Sequence, residues 1–383
     1  LHFYDSIRNR ICEAPVRVAY PYFTSTFVWD ADGVAWVLNA EGEIAAVTPC
    51  AVSPTHVPTA QPEKIISIAA TPSGRLLVED ISGHVVRSAH VGGPGKLLLT
   101  GQFTDFLYDV HEDKVMPLEG RVVYGVYSPN ATRLAFSTGQ EDAPDQIQTQ
   151  IVNLETAEVE NTFSWSFQPA KGMLSEPTWL SEEALLTTAT AVGGPRLAHV
   201  SGEVIDVAEM YFDDACQNEL CEVRAARFGA SGAYHILLEP AAQGKWFLYH
   251  SENGSVENVP PVAEPTFSPD GRWLSGKVSG GAAHGLWLRP VEGGAPPTEI
   301  PLPSLINVPL AWSPDSAYIA YALEAGIGLT RIGTKGVANV WSTGRYSPIA
   351  IVWSTDTSRL AVQATAPDAS GNLVEALFII VIP

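Results

Sequence analysis

The sequence predicts an all-β chain folded as a β-propeller, and three observations predict it. A short phrase built on Ser-Pro-Asp, opened by an aromatic residue and closed by an apolar strand, recurs along the chain. Its copies are spaced by about one blade, and periods of roughly 40–50 residues built from short strands mark a propeller. Helical periodicity is nearly absent, while 32 glycines and 29 prolines suit many short strands joined by turns.

The clearest copy is Phe267-Ser268-Pro269-Asp270-Gly271-Arg272-Trp273-Leu274, and Trp312-Ser313-Pro314-Asp315-Ser316-Ala317-Tyr318-Ile319 repeats it. Looser copies begin at Tyr127 and Trp353, and degenerate ones at Trp29, Ala70, Trp179 and Phe228. Successive spacings are 41, 57, 52, 49, 39, 45 and 41 residues. Each copy reads as the turn between a blade's first two strands. Pro269 presets φ for the second position of a type I turn, Asp270 tolerates the third, and Gly271 frees the exit.

Seven residues after each lead position stand Trp36, Leu77, Leu134, Leu186, His235, Leu274, Ile319 and Leu360. All but His235 are large apolar groups, as packing of blade on blade requires. At His235 a one-residue slip would give the core position to Ile236. Third strands follow at Glu43–Val47, His84–His90, Gln150–Leu154, Arg196–Val200, Lys245–His250, Gly285–Val291 and Gly326–Ile332. Eight copies predict eight four-stranded antiparallel blades in one domain spanning residues 1–383, with seven blades as the alternative. The 57-residue interval is too long for a plain blade, and Lys96–Thr100, Asp105–Val110 and Val115–Leu118 read as an inserted hairpin within it. The last repeat supplies three strands. Residues 1–23 read as an arm whose strand, Pro15–Tyr20, pairs with Val374–Ile382 and closes the ring.

The phrase resembles the TolB-like, WD40-like propeller repeat, whose core reads aromatic-Ser-Pro-Asp-Gly-x-x-Leu/Ile-Ala. The resemblance runs from about Trp29 to the C-terminus and is strongest at 267 and 312. It implies a fold and a class of binding surfaces, not an activity.

Net charge is −20, with 22 basic against 42 acidic residues. Such a surface repels nucleic acid and anionic bilayers, so neither is an expected partner. The longest apolar run, Ala376–Pro383, is far shorter than a membrane helix of about 18 residues and reads as a buried strand. A chain opening at Leu1 fits a processed protein, or one whose leader or anchor is missing. Four cysteines permit three pairings; the most economical joins Cys12 to Cys50 and Cys216 to Cys221. Disulfides imply an extracytoplasmic location, whether periplasmic, secreted or at the cell surface.

No Gly-x-Ser-x-Gly elbow occurs, and no hydrolase domain beyond the repeats is expected. The nine histidines lack metal-ligand spacing, although His199, His235 and His250 fall in or beside strands of adjacent blades. The acidic stretches at Asp30/Asp32 and Asp213/Asp214 lack a calcium pattern. No cofactor, metal or catalytic residue is therefore expected. Propellers commonly bind partners through the loops that lead into each first strand. Glu176 and Glu264 sit three residues before their lead aromatics, which places both on that rim as candidate binding residues. The expected function is a non-catalytic scaffold that binds protein, as a subunit of an envelope-associated complex. A metal-dependent lyase or hydrolase with a channel site, and a propeller binding a small ligand or glycan, are the alternatives.

Overall fold

The computed structural model describes residues 2–5, 10–13, 27–30, 32–39, 43–48, 51–54, 65–70, 75–80, 86–90, 95–140, 143–166, 177–187, 196–206, 221–228, 233–240, 245–280, 283–292, 296–302, 310–323, 326–334, 338–342 and 346–382. Among these the chain is all-β and propeller-like: consecutive strands form small antiparallel sheets, most of them four-stranded.

The turn phrase explains how each sheet starts. In the 267 copy, Ser268 is fully buried. Its Oγ donates to Asp270 Oδ1 (2.5 Å) and accepts from the Trp273 amide (3.0 Å). The Gly271 amide closes the turn on the Ser268 carbonyl at 2.9 Å, with Gly271 at φ +73°. The copies at Ser313 and Ser354 reproduce these bonds. The left-handed position is then held by Ser316 (φ +62°) and Thr357 (φ +62°), and in the Tyr127 copy by Ala131 (φ +53°). The strands paired by these turns bring Phe267 opposite Leu274, Trp312 opposite Ile319 and Trp353 opposite Leu360. All eight residues seven places after a lead are buried, His235 included.

Among the described residues nine sheets form where eight repeats were expected. The first holds Phe27–Trp29, Ala35–Leu38, Ile44–Thr48 and Ala51–Pro54. The long interval after it divides in two. Ile65–Ala70 pairs with Lys96–Gly101, Asp105–Asp109 and Lys114–Pro117 as the second sheet. Arg75–Asp80 lies instead between Val86–His90 and Gly120–Val122 in a three-stranded third sheet. The expected hairpin is thus no insertion. Its strands are the outer part of a sheet whose inner strand is Ile65–Ala70, and the turn after Ala70 joins two sheets. The physical reason is burial: Leu97, Leu99, Phe106 and Tyr108 complete a core with Trp36 of the first sheet, while Leu98 and Leu107 face Leu76 and Val78 of the third.

From the fourth sheet onward one repeat makes one sheet. The fourth runs from Val126–Tyr127 to Val159–Ser166 and the fifth from Thr178–Trp179 to Val204–Asp206. The sixth comprises Cys221–Phe228, Tyr234–Pro240, Trp246–His250 and Ser255–Val259, and the seventh Ala263–Phe267, Trp273–Gly280, Ala283–Pro290 and Thr298–Leu302. The eighth runs from Ala311–Trp312 to Ala338–Ser342. Each packs on the next through an apolar cluster. Lead tryptophans add a polar link to the preceding sheet. Trp179, Trp312 and Trp353 donate their indole N–H to Val126 O, Ser275 Oγ and Ala311 O, each at 2.9 Å.

The ninth sheet combines both ends of the described chain. Ser347–Trp353, Arg359–Pro367 and Leu373–Val381 are followed outward by His2–Asp5 and then Arg10–Glu13. His2–Asp5 runs parallel to Leu373–Val381, with Phe3 opposite Ile379. The N-terminal partner of that strand is therefore His2–Asp5, where Pro15–Tyr20 was expected; residues 15–20 lie outside the described ones. A four-residue strand of mixed polarity gives too short a pattern to be read from sequence. The ninth sheet also touches the first: Arg359 Nη1 donates to Gly33 O (2.9 Å) and Thr355 Oγ1 to Asp30 O (3.2 Å). Trp29, the lead residue there, buries its indole nitrogen without a hydrogen-bond partner among the described residues.

Candidate functional site

Two places carry chemistry that the repeat itself does not require. The first is the seam between the sixth and seventh sheets. The register slip considered at His235 is found: Ile236 packs toward the fifth sheet, against Leu180 and Leu186, while His235 turns the other way, its ring 6.4 Å from Phe267. His235 is 0 % exposed, and neither ring nitrogen has a hydrogen-bond partner among the described residues. Burial, with a smaller contribution from His250, pushes its pKa down to about 4 against the pull of Glu252, so the ring is neutral at pH 7. An unsatisfied buried polar group costs on the order of 1–3 kcal/mol.

Backbone bonds bring two carboxylates to that ring. Ser251 exchanges hydrogen bonds with Tyr234, its amide meeting Tyr234 O at 3.1 Å and its Oγ the Tyr234 amide at 2.8 Å. This fixes Glu252 beside the start of His235's strand. The Val291 amide bonds Arg272 O at 2.8 Å, which fixes Glu292 at the end of the seventh sheet. One ligand atom each from His235, Glu252 and Glu292 then lie within 4.8 Å of one another. His250, directly opposite His235 in the ladder, is otherwise engaged, its Nε2 2.8 Å from Glu257. Burial alone would raise the Glu257 pKa, but Arg289 and His250 together hold it below the usual carboxylate range. His199, the third histidine considered from sequence, lies in the fifth sheet and takes no part. Sequence reasoning missed Glu252 and Glu292 because the contact is between neighbouring sheets, 40 residues apart in the chain.

The second place is an aromatic surface at the second and third sheets. Phe103 and Tyr124 are 69 % and 61 % exposed, and Ile66 is 53 % exposed. Ile65, the first residue of its strand, pairs with Gly101, so loop 102–104 stands where that inner strand begins. Arg121 pins the loop by donating to Gly101 O (2.9 Å), Gln102 O (2.6 Å) and Asp105 Oδ1 (3.0 Å). Asp105 is fully buried and also accepts the Val122 amide at 2.7 Å. The Tyr124 hydroxyl shares a 2.8 Å hydrogen bond with Thr100 Oγ1. Two large rings are thus presented to solvent on a fixed frame. The sequence signal was an aromatic residue inside a polar turn, Gln102-Phe103-Thr104.

Of the residues expected on the binding rim, Glu264 is half-buried at φ +53° with its carboxylate 2.6 Å from the buried Lys277 ammonium. Glu176 lies outside the described residues, as do Cys50 and Cys216; Cys12 and Cys221 fall within strands. No helix among the described residues is long and apolar enough to cross a membrane.

No protein-family model matches the chain, and no curated protein matches it in sequence. Solved structures similar to it include hydrazine synthase of Kuenenia stuttgartiensis, with a TM-score of 0.39 and 10 % identity over 78 % of this chain and 94 % of that one. TolB from Acinetobacter baumannii is similar at a TM-score of 0.37 and 16 % identity, over 80 % of this chain and 66 % of that one. The propeller-like architecture rests on the chain's own strand pairing.

Proposed function

We propose that this chain is a non-catalytic, extracytoplasmic scaffold that binds a protein partner through the face where the inner strands begin. The observation that carries the reading is the pair Phe103 and Tyr124, exposed on a frame fixed by Arg121 and the buried Asp105. Aromatic residues and arginine dominate binding energy at protein interfaces, and rigid presentation lowers the entropy cost of binding. Glu264, and Glu176 by its equivalent position in sequence, belong to the same face in this reading. In this reading the nine sheets among the described residues close into a ring, with His2–Asp5 joining the sheet of Leu373–Val381. The bonds from Arg359 and Thr355 to the first sheet support closure.

The test places a photo-crosslinker at position 103 in the native source. A discrete crosslinked partner is expected, lost on Tyr124→Ala with an unchanged melting temperature. Crosslinking that yields only monomer would sink the proposal. Non-reducing peptide maps test the location: Cys12–Cys50 and Cys216–Cys221 bridges are expected, and four free thiols would overturn the extracytoplasmic assignment.

A further inference from the structure

We propose that the seam between the sixth and seventh sheets binds a divalent transition-metal cation of the zinc type through His235, Glu252 and Glu292. A cluster of carboxylates would not suggest this by itself. The independent observation is His235, a fully buried ring with both nitrogens unpartnered among the described residues, directed at the place where Glu252 and Glu292 converge. Other blades place a large apolar side chain seven residues after the lead. In the sixth sheet Ile236 takes that apolar place, and the imidazole beside it is buried with no hydrogen-bond partner among the described residues, a partner that a metal ion would supply.

The chemistry of the set selects the ion. A neutral imidazole and two carboxylates suit zinc and its first-row neighbours, whereas calcium and magnesium prefer all-oxygen shells. Two carboxylates neutralise a dication, and an imidazole nitrogen supplies the third donor. Ligands at about 2.0–2.2 Å on opposite sides of an ion stand at most about 4.4 Å apart. The observed 4.8 Å limit therefore needs only a small inward turn of Glu252 and Glu292, both exposed and unbranched. Their exposure also provides the path of access. The histidine and Glu252 come from the sixth sheet and Glu292 from the seventh, so the ion ties the two sheets together.

The experiment strips the full chain with a chelator and titrates it with zinc chloride, reading metal content and melting temperature. One zinc per chain is expected. At free zinc 100-fold above its dissociation constant, the folding equilibrium constant rises about 100-fold. His235→Leu, which puts an apolar group in the buried position, is expected to fold and to lose both uptake and the zinc-dependent rise in melting temperature. Glu252→Gln with Glu292→Gln changes only exposed side chains and decides the matter even where His235→Leu does not fold. That double variant should bind at least roughly 10-fold more weakly, the cost of losing even an outer-shell partner. No saturable uptake by the wild-type chain, or uptake unchanged in the double variant, overturns the proposal.

Discussion

At the residue scale, the turn phrase is a hydrogen-bonding device centred on its serine. Sequence reasoning assigned the work to Pro269, Asp270 and Gly271, since their backbone preferences are visible in the letters. Ser268 carries no such signal, because its role is to be fully buried and bonded to atoms on both sides of the turn. Ser268→Ala is expected to cost about 1–2 kcal/mol in denaturant unfolding, the loss of a buried hydroxyl with two bonds. The left-handed fourth position gives the opposite sign elsewhere. Thr357, β-branched at φ +62°, occupies a conformation that costs an L-residue roughly 1–2 kcal/mol. Glycine relieves that strain but loses more backbone entropy, so Thr357→Gly should stabilise by up to about 1 kcal/mol. A destabilised variant would show that the threonine side chain makes compensating contacts. Burial raises the Tyr127 hydroxyl pKa to about 12. A group whose folded pKa is raised contributes stability that is complete below its unfolded value of about 10 and is lost as pH climbs through the folded one. Tyr127→Phe should therefore lose less stability than wild type between about pH 10 and 12, and equal losses would reject the assignment.

Element boundaries were legible wherever the full phrase occurs. The strands expected at Gly285–Val291 and Gly326–Ile332 are found as Ala283–Pro290 and Gly326–Arg331, because alternation and turn residues agree there. What sequence did not reveal was how strands group into sheets between residues 65 and 122. Arg75–Asp80 follows Ile65–Ala70 as a second strand follows a first, yet pairs with Gly120–Val122, 40 residues on. Local patterning specifies a strand; the choice of neighbour depends on which apolar faces remain uncovered, and that is a property of the assembled sheets. The candidate seam was half legible for the same reason: His235 stood out as the polar exception to a repeat, whereas its carboxylate partners could not be read. Gly120 tests the unexpected pairing. A Cβ there would lie 2.1 Å from the backbone carbonyl oxygen of Glu79, an atom that cannot swing aside. Gly120→Ala should cost about 1–3 kcal/mol, in the range of overpacked core positions. A neutral effect would mean that Gly120–Val122 does not pair with Arg75–Asp80.

At the scale of the whole molecule, the decisive question is what covers the outer edge of Leu373–Val381. Phe378, Ile379 and Ile380 are buried, and this strand would expose a row of unpaired amides and carbonyls if its outer neighbour were removed. His2–Asp5 occupies that edge in parallel, with Arg10–Glu13 outside it. A parallel neighbour here cannot come from a tight hairpin, which always reverses direction, so it must arrive from a distant part of the chain. The N-terminus supplies it, and the same sheet meets the first through Arg359 and Thr355. The net charge of −20 opposes compaction at low ionic strength, which makes a seam between the two ends of the chain a vulnerable one. Removing residues 1–13 should lower the melting temperature, most at low salt where the repulsion is unscreened, and should expose an apolar edge that pairs with other copies. Light scattering is then expected to show association that rises with protein concentration and is absent from the full chain. A truncated chain that stays monomeric and melts with the full one would show that His2–Asp5 does not protect that edge.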